Sequence, residues 1–423
     1  MKVTEFPNLG EKTVQHKLDC GLEMILVPRP GFNRKLAYFV TDYGSIHTEY
    51  TLDGEHMTAP AGVAHFLEHK MFDLPGRDVS AEFAAQGAHV NAFTSYDVTA
   101  YYFTCTQNFE KNLELLLEFV STPYFTEESV AKEMGIIDQE IGMNADAPDT
   151  RVFEDLMEAM YRNHPIRVPI LGTSDTIRQI TDKTLHDCHR AFYSPANMLL
   201  CVVGDVDPDA VVSIADKVLG TAPRSAGEKK NNWDEPMTVV TPLVKRNMEI
   251  AMPAFQLGFK CEALGKGEDA IRQEIIGDLA AEALFGESSQ LYLELYEEGI
   301  IDSSFGGGFE TIDGCALLTC GGDSEDAEKV RDAILRHGRR LAEEGVSEEA
   351  FQRMKRSAMG RRVRDLDSFD STCFRTCAYK LSDFDYFRFP EIYAAVQKEE
   401  IAAFIDRVVR CERCALSVIE PLG

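Results

Sequence analysis

Gly62-Val63-Ala64-His65-Phe66-Leu67-Glu68-His69 is the stretch on which the reading of this sequence turns. It lies inside Pro60 to Phe72, where apolar positions recur with a helical period. On a helix, His65 and His69 share one face, about 6 Å apart along the axis, so both imidazoles can reach one ion. Glu68 turns to the same side and can take a proton from a water held there without being a ligand. This order is the inverted form of the commoner zinc-peptidase motif. A catalytic zinc takes three protein ligands and keeps one position open, so the third ligand must come from another element. Glu140 is the candidate, in the amphipathic segment Glu127 to Met143, which has Thr126 as N-cap and acidic residues in its first turn. Glu133, two turns earlier on the same face, is placed to support a ligand by hydrogen bonding. One Zn2+ per chain is the expected cofactor.

Outward from this stretch, strands and helices mix without strict βαβ alternation. Gln15 to Pro28 reads as a hairpin turning at Asp19-Cys20-Gly21, and Lys35 to Ser45 as a strand. Val79 to Gln86 is a short helix stopped by Gly87. His89 to Thr106 gives two strands meeting near Ser95-Tyr96-Asp97, Asn108 to Val120 a helix, and Asn197 to Val203 a buried strand. The polar run Ser225 to Glu235 reads as part of a linker. The expected division is a first domain over 1–222, a linker over 223–238 and a second domain over 239–423. The second half repeats the plan loosely: strands around Glu249 to Cys261, a helix from Gly267 to Leu284, strands around Ser303 to Cys320, then helices at Ala327 to Glu344 and Ser347 to Leu366. The fold expected is α+β, with two similar domains, each an antiparallel sheet covered by helices, and the metal in the first.

The totals agree with a globular two-domain chain: 423 residues, 44% hydrophobic and 27% charged. A net charge of −27 disfavours nucleic acid and is compatible with basic peptides, although a generally acidic, solubilising surface is the simpler explanation. No apolar run approaches the roughly 20 residues of a membrane span, so no membrane partner is expected. The eleven cysteines are scattered and mostly set among apolar residues, as free core thiols are in a reducing compartment, and a cytoplasmic location is expected.

Five ordered blocks resemble the M16 (insulinase/pitrilysin) peptidases. They are Gly62 to His69; Asn91-Ala92-Phe93-Thr94-Ser95; Glu133 to Glu140; His164-Pro165 with Ile170-Leu171-Gly172; and Tyr193 to Met198 leading to Val203-Gly204-Asp205. The resemblance implies His65, His69 and Glu140 as zinc ligands, Glu68 as general base and Glu133 as a supporting acidic residue. It also implies Asn91, Ala92, Phe93 and Thr94 as an edge strand to which an extended peptide substrate adds. The second half departs from the family pattern: where many members carry an Arg and a Tyr, this sequence has Tyr296 and Asp302 or Ser303. The whole chain looks most like a bacterial half-length subfamily found beside a motif-lacking paralogue. A homodimer, or a heterodimer with such a paralogue, is therefore expected. The activity expected is endopeptidase hydrolysis of peptides or unfolded segments; the alternative is a subunit of such a heterodimer that is non-catalytic or serves as a maturation or modification accessory for one dedicated partner.

Other features carry less. Cys411-Glu412-Arg413-Cys414 has no second pair and reads as core or incidental thiols. His186-Asp187-Cys188-His189 lacks a clear third partner for a metal. Phe305-Gly306-Gly307-Gly308-Phe309 has no following Lys-Ser/Thr and reads as a bent strand, and Lys355 to Arg364 as a solvated basic helix face.

Overall fold

A computed structural model describes residues 1–222 and 226–422. The first three residues of the expected linker, 223–225, lie outside that range.

The first unit is built on a seven-stranded sheet: β1 (Lys2–Phe6), β2 (Glu11–Lys17), β3 (Glu23–Pro28), β4 (Lys35–Thr41), β5 (Ala88–Thr94), β6 (Thr99–Cys105) and β7 (Met198–Gly204). Their order is β1-β2-β3-β7-β4-β6-β5, which leaves β5 at an edge. All pairings are antiparallel except β3 with β7. The wholly buried run of β7 is what a strand covered on both faces needs. One face of the sheet, carrying Met24, Leu26, Ala37 and Phe39, packs under helices α1 (Val63–Met71), α2 (Phe109–Ser121), α3 (Glu127–Ala145) and α4 (Asp182–Phe192). The other face, carrying Ile25, Val27, Tyr38 and Val40, packs into a core shared with the second unit.

The second unit has β8 (Leu243–Met248), β9 (Ala254–Cys261), β10 (Gly306–Ile312), β11 (Cys315–Asp323) and β12 (Cys414–Pro421), in the order β8-β12-β9-β11-β10. Only β8 and β12 run parallel. This repeats β3-β7-β4-β6-β5 strand for strand, parallel pair included, so the chain is internally duplicated. Its principal helices are α5 (Glu268–Phe285), α6 (Ala327–Glu344), α7 (Glu348–Asp365) and α8 (Phe369–Leu381). The strands expected around Glu249 to Cys261 are β8, ending at Met248, and β9, beginning at Ala254.

The units exchange helices. Pro148–Met160, from the first half, lies on the second sheet, where Leu156 and Met160 are fully buried and Gly258 gives Met160 room: a Cβ there would stand 2.5 Å from Met160 Sδ. Reciprocally, α8 packs on the first sheet through Cys373 and Cys377, in one core with Cys201 of β7. Glu228–Lys229, within the expected linker, pairs with the strand Glu49–Leu52.

Candidate metal centre

Two backbone devices aim α1. Its N-cap, Gly62, has φ 92°, and an added Cβ there would lie 2.4 Å from Leu171 O. Gly172 faces the same crossing from the other side, with its Cβ position 2.4 Å from Ala61 O. Only glycine allows this contact between the helix start and the Leu171-Gly172 loop. α3 begins with Thr126 and Ser129 in a reciprocal capping box, as the expected N-cap requires.

The two helices bring together residues 70 or more positions apart in sequence. His65 Nε2 lies 3.7 Å from Glu140 Oε1, and His69 Nε2 3.8 Å from Glu140 Oε2. These separations are too long for hydrogen bonds. The three residues offer ligand atoms all within 4.8 Å of one another, the one such group of His, Cys, Asp and Glu among the described residues. Two imidazoles and a carboxylate are the donor set of a zinc site with an open position. His65 is 7% exposed, yet its Nδ1 is buried without a partner and its Nε2 meets only the distant Glu140. Among the described residues no hydrogen bond engages Nε2, which is left to an ion, and the donor set present fits zinc.

The surroundings hold each group in a useful state. Burial, aided by the neighbouring His69, pushes the His65 pKa down to about 3, so the ring stays neutral and able to ligate. His69 Nδ1 and Glu133 Oε1 are 2.9 Å apart; this bond fixes the tautomer that leaves Nε2 free, and it raises the His69 pKa. Glu68 is 8% exposed, and burial raises its pKa against the lowering effect of a 2.7 Å hydrogen bond donated by Thr94 Oγ1 to its Oε2. The other carboxylate oxygen makes no hydrogen bond among the described residues.

The expected substrate residues lie on β5, the edge strand beside α1. Counting from the Ser95 N–Val98 O bond that closes the hairpin, alternation turns the backbone groups of Ala92 and Thr94 toward the open edge. The Ala92 N–H is occupied locally, donating to Asn91 Oδ1 at 2.9 Å. Phe93 points to the opposite face, toward Phe374 of α8. The Thr94–Glu68 bond is a feature that sequence reasoning missed; only the strand's β pattern was visible, not which way Thr94 points.

The other motifs lie elsewhere. Tyr296 is exposed and stacks on Tyr292, while Asp302 accepts from the Ser304 backbone and hydroxyl. His189 is buried, with Nε2 bonded to Val120 O and its ring stacked on Tyr193. Cys411 and Cys414 are free thiols, the first exposed and the second buried. His164 of the His-Pro block joins the units, with Nε2 2.9 Å from Asp313 O.

Fold and site define a class: a duplicated α+β chain carrying a His-x-x-Glu-His helix and a carboxylate from a second helix, beside an open sheet edge. Residues 55–174 match the family model for insulinase (peptidase family M16), and residues 179–358 match that for the peptidase M16 inactive domain. The chain is 35% identical to the uncharacterized zinc protease YmfH of Bacillus subtilis (strain 168), over 100% of this chain and 99% of that one. An M16-like peptidase from Alicyclobacillus acidocaldarius superimposes with TM-score 0.94 at 32% identity, covering 99% of this chain and 100% of that one. The first half of the periplasmic protease PqqL from Escherichia coli shares the fold, with TM-score 0.73 at 19% identity, over 96% of this chain and 91% of that one. This chain belongs to the M16 peptidase family.

Proposed function

We propose that the chain is a zinc endopeptidase acting on peptides or unfolded segments, with His65, His69 and Glu140 as the ligands and Glu68 as the base. The observation that carries this reading is the convergence of the three ligand atoms within 4.8 Å, with the Glu68 carboxylate on the same helical turn. Bound zinc would act as a Lewis acid on the scissile carbonyl and lower the pKa of water from 15.7 to roughly 7. Glu68 then holds the proton lost by the attacking water on the oxygen that Thr94 does not occupy, and passes it to the leaving amine nitrogen. Glu133 keeps His69 in the ligating tautomer. The free edge of β5 takes an extended peptide by main-chain pairing at Ala92 and Thr94, which gives sequence-tolerant binding once the Asn91 side chain gives way.

Tyr296 and Asp302 offer no guanidinium–phenol pair to hold the oxyanion, so this reading includes a second subunit, either another copy or a motif-lacking paralogue, that completes the site. We place the unit boundary within residues 223–238. No helix among the described residues is long and apolar enough to cross a membrane. Eleven free cysteines, ten of them buried, favour a reducing, cytoplasmic setting.

The test is a pair of measurements on wild type and Glu68→Gln, each with and without a paralogue. Zinc near one per chain in both, with cleavage lost about 10²- to 10⁴-fold only in the variant, is the result expected. Equal cleavage by the two proteins would remove Glu68 from the mechanism. A chain that neither holds zinc nor cleaves, alone or with a partner, would favour the accessory-subunit alternative.

A further inference from the structure

The strand-for-strand repeat gives each part of the metal centre a counterpart in the second unit. α1 lies between β4 and β5 in the chain and packs on edge strand β5; α5 lies between β9 and β10 and packs on edge strand β10. α3 follows the β5–β6 hairpin as the second long helix, and α7 follows the β10–β11 hairpin in the same way.

The residues correspond as well. On α5, Glu274 and Asp278 stand four apart, as His65 and His69 do on α1. On α7, Arg362 lies 14 residues after the first helical residue, Glu348, while on α3 Glu140 lies 13 after Glu127. The side chains converge in the same sense. Arg362 Nη2 donates to Glu274 Oε1 and to Asp278 Oδ2, both at 3.2 Å, and its Nη1 donates to the Tyr379 hydroxyl. Tyr379 in turn donates to Glu274 Oε1 at 2.7 Å. Arg362 is buried, 6% exposed.

The positions flanking the ligands differ in a way that removes the chemistry. Glu68 precedes His69 by one residue; the residue preceding Asp278 is Gly277. A Cβ at Gly277 would stand 2.4 Å from the Phe309 ring of β10, so an aromatic side chain occupies the space where a base and its water would sit. Seven residues before Glu140 stands Glu133, bonded to His69; seven before Arg362 stands Lys355, whose Nζ caps the carbonyls of Ala394 and Val396 instead.

We propose that the second unit holds a degenerate copy of the metal centre, in which the guanidinium of Arg362 occupies the cation's place between the carboxylates of Glu274 and Asp278. Two acids clasping one fixed cation need no ion from solution, and a guanidinium cannot supply an open coordination position. The unit is thereby kept folded around a built-in charge and catalytically silent. The inference rests on the duplication and not on peptide cleavage, so it stands or falls separately from the function proposed above.

The consequence is that removing the guanidinium should open a cation site of hard oxygen donors, suited to Mn2+. The experiment uses the full zinc-loaded chain and Mn2+ as the probe, followed by equilibrium dialysis and electron paramagnetic resonance. Arg362→Met is expected to bind about one more Mn2+ than wild type, and Glu274→Gln or Asp278→Asn added to it should abolish the gain. No additional Mn2+ in soluble Arg362→Met, or a gain that survives loss of both carboxylates, overturns the proposal. If Arg362→Met is insoluble, refolding decides. Recovery with Mn2+, together with metal-free folding of the neutral triple variant Glu274→Gln/Asp278→Asn/Arg362→Met, supports it. Failure of either overturns it.

Discussion

Thr94→Val removes one hydroxyl from the site and little else, because Val keeps the shape and β propensity that β5 requires. Thr94 Oγ1 donates a 2.7 Å bond to Glu68 Oε2, and Glu68 is buried, with burial already raising its pKa. A hydrogen bond to a charged group contributes about 1.5–3 kcal/mol, here entirely to the ionised form of Glu68. Losing it destabilises the carboxylate that must act as base. At about 1.36 kcal/mol per tenfold, kcat/KM below neutral pH should fall roughly 10- to 100-fold. The sign fixes the pH dependence. The Glu68 pKa moves further up, so the acid limb of the kcat/KM profile shifts to higher pH and the deficit narrows as pH rises. Thr94→Ser, which keeps the hydroxyl, should behave close to wild type. The assay is a pH–rate profile on a quenched fluorescent peptide, with zinc content measured on each sample. An unmoved acid limb at full zinc occupancy would refute the role given to Thr94.

The remaining predictions test the supports of the site and the fold. Glu133→Ala leaves His69 free to turn and should weaken zinc binding about 10- to 100-fold, measured by competition with a chromophoric chelator. Gly62→Ala places a Cβ 2.4 Å from Leu171 O at φ 92° and should destabilise by about 2–4 kcal/mol, read by denaturant unfolding; an unchanged midpoint would count against the crossing. His189 is held neutral by burial, its pKa pushed down to about 4. The unfolded chain therefore takes up a proton first, and stability is lost as pH falls from about 6.5 to about 4, by about 3 kcal/mol in all. His189→Gln should flatten that part of the melting-temperature profile. A chain of residues 1–222 alone lacks α8 over one sheet face and leaves Pro148–Met160 without its own; light scattering and dye binding should show aggregation where the full chain remains monodisperse or dimeric.

The site was legible where it rests on local periodicity. Four-residue spacing set His65 beside His69, seven-residue spacing set Glu133 in line with Glu140, and Thr126 could be read as a cap because capping is decided within one turn. That the two helices meet rests on a different kind of fact. The Gly62–Leu171 approach is a backbone contact more than 100 residues long in sequence, and Ile170-Leu171-Gly172 shows no chemistry of its own. The sequence pattern likewise marks β5 as a strand but does not say that it is outermost, since edge position depends on pairings made by β4, β6 and β7. The exchange of Pro148–Met160 for α8 was invisible because an amphipathic helix declares an apolar face without naming its partner. The basic run Lys355 to Arg364 points to a solvated face, yet Arg362 is buried; its neighbours Arg361 and Arg364 lie on the exposed side, and only the position of α5 separates it from them.

The central claim is that one zinc ion sits between α1 and α3. Anomalous diffraction at the zinc absorption edge, from crystals of the zinc-loaded chain, tests it most directly. The account predicts a single strong peak about 2.0–2.2 Å from His65 Nε2, His69 Nε2 and a Glu140 oxygen. A zinc-loaded crystal with its peak elsewhere, at Cys411 and Cys414 for instance, would contradict it.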